Sequence, residues 1–218
     1  DSITQTGGTS GVVLDHVSGS FTVNGATTIS NTTGPAIAIS DSPATIRFGD
    51  INITNPGADG ISFSGVNAAV VAGNIVISGL GVGAGLDFSG SRTNFTAQSL
   101  NITGPGAAGT IGIDLASTTG GASIIISNGG SISGVDTGVR LGISGSLANS
   151  ANAQFSFGGG SIAGITASLD ARGLNQTLGL YAFGSTTFSG PQLFDVQNVI
   201  FVGASATGSG NGSSLLDL

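Results

Sequence analysis

The stretch Gly49-Asp50-Ile51-Asn52-Ile53-Thr54-Asn55-Pro56-Gly57-Ala58-Asp59-Gly60-Ile61-Ser62-Phe63-Ser64-Gly65 decides how this chain is read. Two short alternating segments stand in it, Ile51-Asn52-Ile53 and Ile61-Ser62-Phe63. Alternation at period two gives a strand with one face buried and one face outward. Asn55 and Gly65 end the two segments. Asn and Gly tolerate the left-handed backbone that a sharp corner needs. Pro56 follows the first corner, a place where the missing N–H costs no ladder bond.

Both segments recur along the chain. The first continues as Ile29-Ser30-Asn31, Ile53-Thr54-Asn55, Ile77-Ser78-Gly79, Ile102-Thr103-Gly104 and Ile132-Ser133-Gly134, then as Ile162-Ala163-Gly164 and Phe188-Ser189-Gly190. The intervals run from 24 to 30 residues. The second, usually led by Gly, is an apolar-x-apolar triplet. It reads Val12-Val13-Leu14, Ile37-Ala38-Ile39, Ile61-Ser62-Phe63, Leu86-Asp87-Phe88, Ile113-Asp114-Leu115, Val139-Arg140-Leu141, Leu169-Asp170-Ala171, Phe194-Asp195-Val196 and Leu216-Asp217-Leu218. A third set lies between them: Phe21/Val23, Ile46/Phe48, Phe95/Ala97, Ile124/Ile126 and Phe155/Phe157.

Three short strands per repeat, with a period near 25 residues, predict an all-β fold. The expected architecture is a single-stranded right-handed parallel β-helix of about nine rungs of 22–30 residues, occupying 1–218 as one domain. Equivalent strands would lie ~4.8 Å apart, so nine rungs span roughly 40 Å. Inward Ile, Leu, Val and Phe would stack into a core that no single rung could bury alone. A β-propeller needs blades of about 40–50 residues, which this spacing does not supply. A three-chain intertwined β-helix is the lesser rival. Polar or small-residue stretches at 117–122, 144–153 and 172–177 read as corner insertions. Leu216-Asp217-Leu218 reads as the start of another rung, so the chain is expected to be a segment of a longer solenoid.

Composition narrows the function. The chain has 218 residues, 40 glycines, no cysteine, no tryptophan and a net charge of −7. Its basic side chains are Arg47, Arg92, Arg140 and Arg172 only. That balance argues against nucleic acid, which needs a basic footprint. Without cysteine there are no disulfides and no thiolate metal sites. No apolar run reaches the ~18 residues of a membrane span, so insertion of this segment in a membrane is not expected.

The runs 49–65 and Gln98-Ser99-Leu100-Asn101-Ile102-Thr103-Gly104-Pro105-Gly106 resemble the β-helix repeats of bacterial autotransporter passengers and filamentous-haemagglutinin-like surface adhesins. The resemblance covers nearly the whole chain in repeat style. It implies export, display at the bacterial surface or release outside the cell, and a structural or adhesive role. Partners would be a host or environmental receptor or glycan, and neighbouring β-helix segments of the same polypeptide. It carries no catalytic residues with it, and no enzymatic activity is expected.

The middle residue of each triplet should point outward. Down one face this gives Val13, Ala38, Ser62, Asp87, Asp114, Arg140, Asp170, Asp195 and Asp217. Asp87, Asp114, Arg140, Asp170, Asp195 and Asp217 are therefore the candidate ligand-binding residues, as an exposed column. Carboxylates one rung apart repel unless a cation intervenes, so Ca²⁺ is the candidate ion. Charge on a flat sheet also simply prevents edge and face association. An acid pair such as Asp87 and Asp114 would serve a polysaccharide-binding or polysaccharide-degrading alternative. Aromatic platforms for sugars are scarce, with Tyr181 the single tyrosine. Val13-Leu14-Asp15-His16 resembles the Asp-His segment of pectate lyases, but the arginine and calcium-carboxylate segments of those enzymes have no match. His16 is the only histidine, and one histidine near the chain start gives no credible Ser–His–Asp arrangement. The outward second-strand column, Thr22, Arg47, Val71, Thr96, Ile125, Ser156, is not the repeated Thr-x-Thr array of an ice-binding ladder.

Overall fold

The computed structural model describes residues 1–88, 90–116, 122–142 and 154–207. Every strand among them pairs in parallel with its equivalent one rung on, and no helix is present among the described residues. The described residues form a parallel β-solenoid of the right-handed type with about seven turns, and the expected ninth rung start, Leu216-Asp217-Leu218, lies outside them. At ~4.8 Å per rung, seven turns span about 34 Å. No helix is long and apolar enough to cross a membrane.

Three sheets run down the solenoid. The first stacks Val12–Asp15, Ile37–Ser40, Ile61–Ser64, Ala84–Asp87, Ile111–Asp114 and Thr137–Arg140 onto the start of Ala167–Ser189. In the second, Ser20–Val23 and Thr45–Phe48 lead to the opening residues of Ala69–Ser78 and Asn94–Thr103, then Ser123–Ile126 and Gln154–Phe157. The third begins with Ile3–Thr6, Thr27–Ser30 and Ile51–Thr54. It passes through the closing residues of Ala69–Ser78 and Asn94–Thr103 to Gly130–Ser133 and Gly159–Ala163.

The repeat read from the sequence sets the register. Ile29, Ile53, Ile77, Ile102, Ile132, Ile162 and Phe188 stand directly above one another in the third sheet, all fully buried. Phe21, Ile46, Val70, Phe95, Ile124, Phe155 and Tyr181 form the matching column of the second sheet. Aromatic rings of the first sheet pack against it: Phe63 and Phe88 lie parallel with centroids 4.7 Å apart, and Phe95 of the second sheet meets both edge-on. Burial of a Leu, Ile or Phe side chain stabilises by about 1.5–3 kcal/mol, so continuity of these columns carries the fold.

The glycine that leads most of the triplets has a steric cause. A Cβ on Gly85 would lie 2.5 Å from Ile102 Cδ1 and 2.7 Å from the Gly112 carbonyl oxygen. Gly60 faces Ile77 Cδ1 in the same way, at 2.6 Å. At these two positions the backbone lies too close to the isoleucine column for a Cβ, whereas buried Ala36 and Ser168 lead the Ile37 and Leu169 triplets. At another corner Asn31 and Asn55 adopt left-handed backbone, φ 55° and 49°, and Asn55 Nδ2 donates to Asn31 Oδ1 at 3.0 Å.

Two expectations about the later rungs change. Residues 172–177 are not a corner insertion, because Ala167–Ser189 is one strand that passes through all three sheets. The following strand, Gln192–Thr207, pairs along it with three register shifts. The other two expected insertions, 117–122 and 144–153, fall almost wholly outside the described residues.

Candidate functional site

The predicted outward column exists in register as far as Asp170. Val13, Ala38, Ser62, Asp87, Asp114, Arg140 and Asp170 are successive partners across the first sheet. Asp195 leaves the column. The register places Leu193 opposite Asp170, and Asp195 opposite Arg172. The reason lies in the preceding corner: the Ser168 N–H donates to the Pro191 carbonyl at 2.7 Å, so Gln192 starts the rung opposite Leu169. The triplet is thus displaced by two residues, which keeps its in–out parity and defeats a reading based on alternation alone. Asp195's side chain, and the whole of Asp217, lie outside the described residues.

The column is also less exposed than expected. Asp114 is 4% exposed and Asp170 7%. Each lies under a guanidinium. Arg140 donates from Nε to Asp114 Oδ1 at 3.0 Å and from Nη2 to Asp114 Oδ2. Arg172 donates from Nε to Asp170 Oδ1 at 2.9 Å and from Nη2 to Oδ2 at 2.6 Å. Side-on pairing of this kind satisfies both oxygens at once. The Ala116 N–H adds a third bond to Asp114 Oδ1 at 3.0 Å, and the Arg172 N–H adds one to Asp170 at 3.2 Å. The carboxylate hydrogen bond of Asp114 holds the Arg140 guanidinium charged above its ordinary range, and Asp170 does the same for Arg172.

Alternation pointed to Arg140 as the cation between Asp114 and Asp170. It commits to Asp114, and the partner of Asp170 is Arg172. The signal for Arg172 was present: it stands two residues after Asp170, on the same face of a continuing strand. Reading 172–177 as a loop concealed it. Asp59 was missed for a similar reason, since it belongs to a corner rather than a triplet. Its Oδ1 accepts the Ala84 N–H at 2.8 Å. Burial pushes its carboxyl above the ordinary range despite that bond, and the charges of Asp87 and Asp114 add to the rise. Asp59, Asp87 and Asp114 thus form an acidic group beside Arg140.

His16 also gains neighbours. Asp15 and Ser40 are register partners, and the corner residues that follow them, His16 and Asp41, both adopt positive φ. Asp15 accepts from the Ser40 hydroxyl at 2.6 Å and lies 3.0 Å from His16 Nδ1. Donor atoms of Asp15, His16 and Asp41 all lie within 4.8 Å of one another, fully in solvent. The Ser40 hydroxyl and His16 hold Asp15 below the ordinary carboxylate range, and Asp15 raises His16.

Chemically, the first sheet offers carboxylates whose oxygens are already engaged by guanidinium and backbone donors, and an exposed Asp–His–Asp corner. The aromatic side chains of the described residues lie in the core or pack against it, Phe21 and Phe194 being only half-buried. Comparison with protein-family models, with curated proteins and with solved structures gives no match.

Proposed function

We propose that this chain is a structural and adhesive β-helix segment of a large secreted or surface-displayed bacterial protein, serving as a rigid stalk and a contact surface. The observation that supports this reading is the parallel stack, with apolar columns in each sheet held in register over about seven turns among the described residues. Such a stack transmits length, because each rung rests only on its neighbours. Among the described residues its outward faces carry side-chain ladders. Ser30 donates to Thr6 at 3.2 Å, Ser78 to Thr54 at 3.3 Å, and Asn74 to Asp50 at 3.1 Å. The paired state of Asp114 and Asp170 favours shape and contact over acid–base chemistry.

Two measurements test the proposal. Small-angle scattering should fit a cylinder of stacked rungs about 34 Å along its axis, the span of seven turns. Retention on a panel of immobilised matrix proteins, glycans and particulate surfaces should be above that of an inert protein. A scattering profile that no such cylinder fits would overturn the stalk, and uniform failure across the panel would overturn the adhesive part.

A further inference from the structure

Asp15, His16 and Asp41 stand at two stacked corners, where the strands Val12–Asp15 and Ile37–Ser40 end. Among the described residues they are the one group of three metal-ligating side chains whose donor atoms all lie within 4.8 Å of one another. The backbone fixes their placing. The His16 N–H donates to the Ser40 carbonyl at 3.1 Å, and the Asp41 N–H to the Ser64 carbonyl at 3.0 Å. A Cβ on Gly65, the residue after Ser64, would collide with Asp41 Oδ1, so glycine there leaves the carboxylate room. The Ser40 hydroxyl orients Asp15 by donating to its Oδ1 at 2.6 Å. A second corner stack shows what this one needs. Asn31 and Asn55 share the left-handed backbone of His16 and Asp41, and one amide donates to the other at 3.0 Å. Amides both donate and accept, so they satisfy each other, whereas ionised carboxylates only accept.

We infer that Asp15, His16 and Asp41 bind one divalent transition ion of the Zn²⁺ class. Two carboxylates on adjacent rungs repel unless a cation lies between them. The imidazole selects which cation. Ca²⁺ and Mg²⁺ take oxygen ligands, about six to eight of them for Ca²⁺, while Zn²⁺ accepts a mixed nitrogen and oxygen set of about four. A tetrahedral ion ~2.1 Å from each ligand holds its ligand atoms ~3.4 Å apart. Asp15 Oδ1 and His16 Nδ1 already stand 3.0 Å apart. The Asp41 carboxylate closes the remaining distance by rotating about its own side-chain bonds, which its exposure leaves free. Three protein ligands leave a position for water or for a donor from a bound partner. Ser40 is a positioning residue, acting through Asp15. The ion ties the rung of Asp15 and His16 to the rung of Asp41.

The test titrates Zn²⁺ into the full chain, carrying no histidine tag and stripped by chelator, in a calorimeter. Binding should saturate at one ion per chain. The melting temperature should rise with Zn²⁺ and fall back when chelator is added. His16→Asn and Asp41→Asn keep a residue that tolerates the left-handed backbone, as Asn31 does. Each should weaken binding at least about tenfold. Ser40→Ala should weaken it by less, and Asp87→Asn, further along the same sheet, should leave it unchanged. Far-UV dichroism checks each fold. If His16→Asn does not fold, diethyl pyrocarbonate on folded wild type blocks the single histidine and should abolish binding. Absence of saturable binding, undiminished binding after loss or blocking of His16, equal loss in Asp87→Asn, or displacement of Zn²⁺ by equimolar Ca²⁺ would overturn the inference.

Discussion

Removing the Arg140 side chain tests whether the outward column is a set of ion pairs or a row of free acids. In Arg140→Met the volume is roughly kept and the charge is lost. Asp114, 4% exposed, then retains the Ala116 N–H as its hydrogen-bond donor among the described residues. Breaking a buried pair from one side costs about 3–5 kcal/mol, because the remaining charge stays desolvated. Arg140 keeps 38% of its side chain exposed, so water reaches the site and the expected loss is about 2–3 kcal/mol. For a domain of this size that lowers Tm by roughly 4–12 °C. Asp114→Asn/Arg140→Met removes both charges and keeps an amide oxygen for the Ala116 N–H. It should be more stable than the single variant, with a coupling energy of about 1–2 kcal/mol. Thermal unfolding by far-UV dichroism measures the totals. Hydrogen exchange localises them: the Leu115 N–H donates to the Arg140 carbonyl and the Leu141 N–H to the Asp170 carbonyl, both at 2.8 Å. These two amides should lose protection before those of the first rungs. An Arg140→Met protein as stable as wild type, or a double variant less stable than the single, would refute the reasoning.

Other outcomes follow from the same geometry. Gly85→Ala should destabilise by about 1–3 kcal/mol through its collision with Ile102 and the Gly112 carbonyl, while Gly81→Ala, with only the Gly79 carbonyl at 4.0 Å, should be near neutral in denaturant unfolding. Phe63→Ala, which removes the ring stacked on Phe88, should cost about 3–5 kcal/mol in the same assay. Asp59 has a raised folded-state pKa, so its contribution is most favourable below the ordinary carboxylate pKa and is lost as pH rises through the folded value. Asp59→Asn should therefore be more stable than wild type at neutral pH, with the difference vanishing in acid; a difference independent of pH would count against burial as the cause. His16 should titrate by NMR above the ordinary imidazole value and return toward it in Asp15→Asn, and the pair's contribution to stability should fade as pH rises through that raised value.

Much of this solenoid is legible in one dimension. Period two marks the inward and outward positions of each strand, and the longer period marks the rung, because each isoleucine must stack on its counterpart to be buried at all. Ile29 through Ile162 could be aligned without coordinates for that reason. The glycine ahead of each triplet was visible as a pattern, but its cause, the close approach to Ile77 or Ile102, belongs to the packed structure. The candidate site shows the same division. Its register through Asp170 followed from the triplets. The burial of Asp114, the choice of Arg140 for that acid, and the service of Arg172 to Asp170 did not. Each depends on where a long flexible side chain settles between rungs, a matter of competing hydrogen bonds rather than of spacing. Asp195 adds the complementary case, since a two-residue slip preserves alternation and only the Ser168–Pro191 bond decides it. The sequence by itself determined that the chain coils into stacked strands, and which residues face the core, because burial enforces period and parity. Tertiary structure alone decided which polar groups meet across the rungs, because those contacts join residues 22 to 30 positions apart through side chains whose direction no local pattern records.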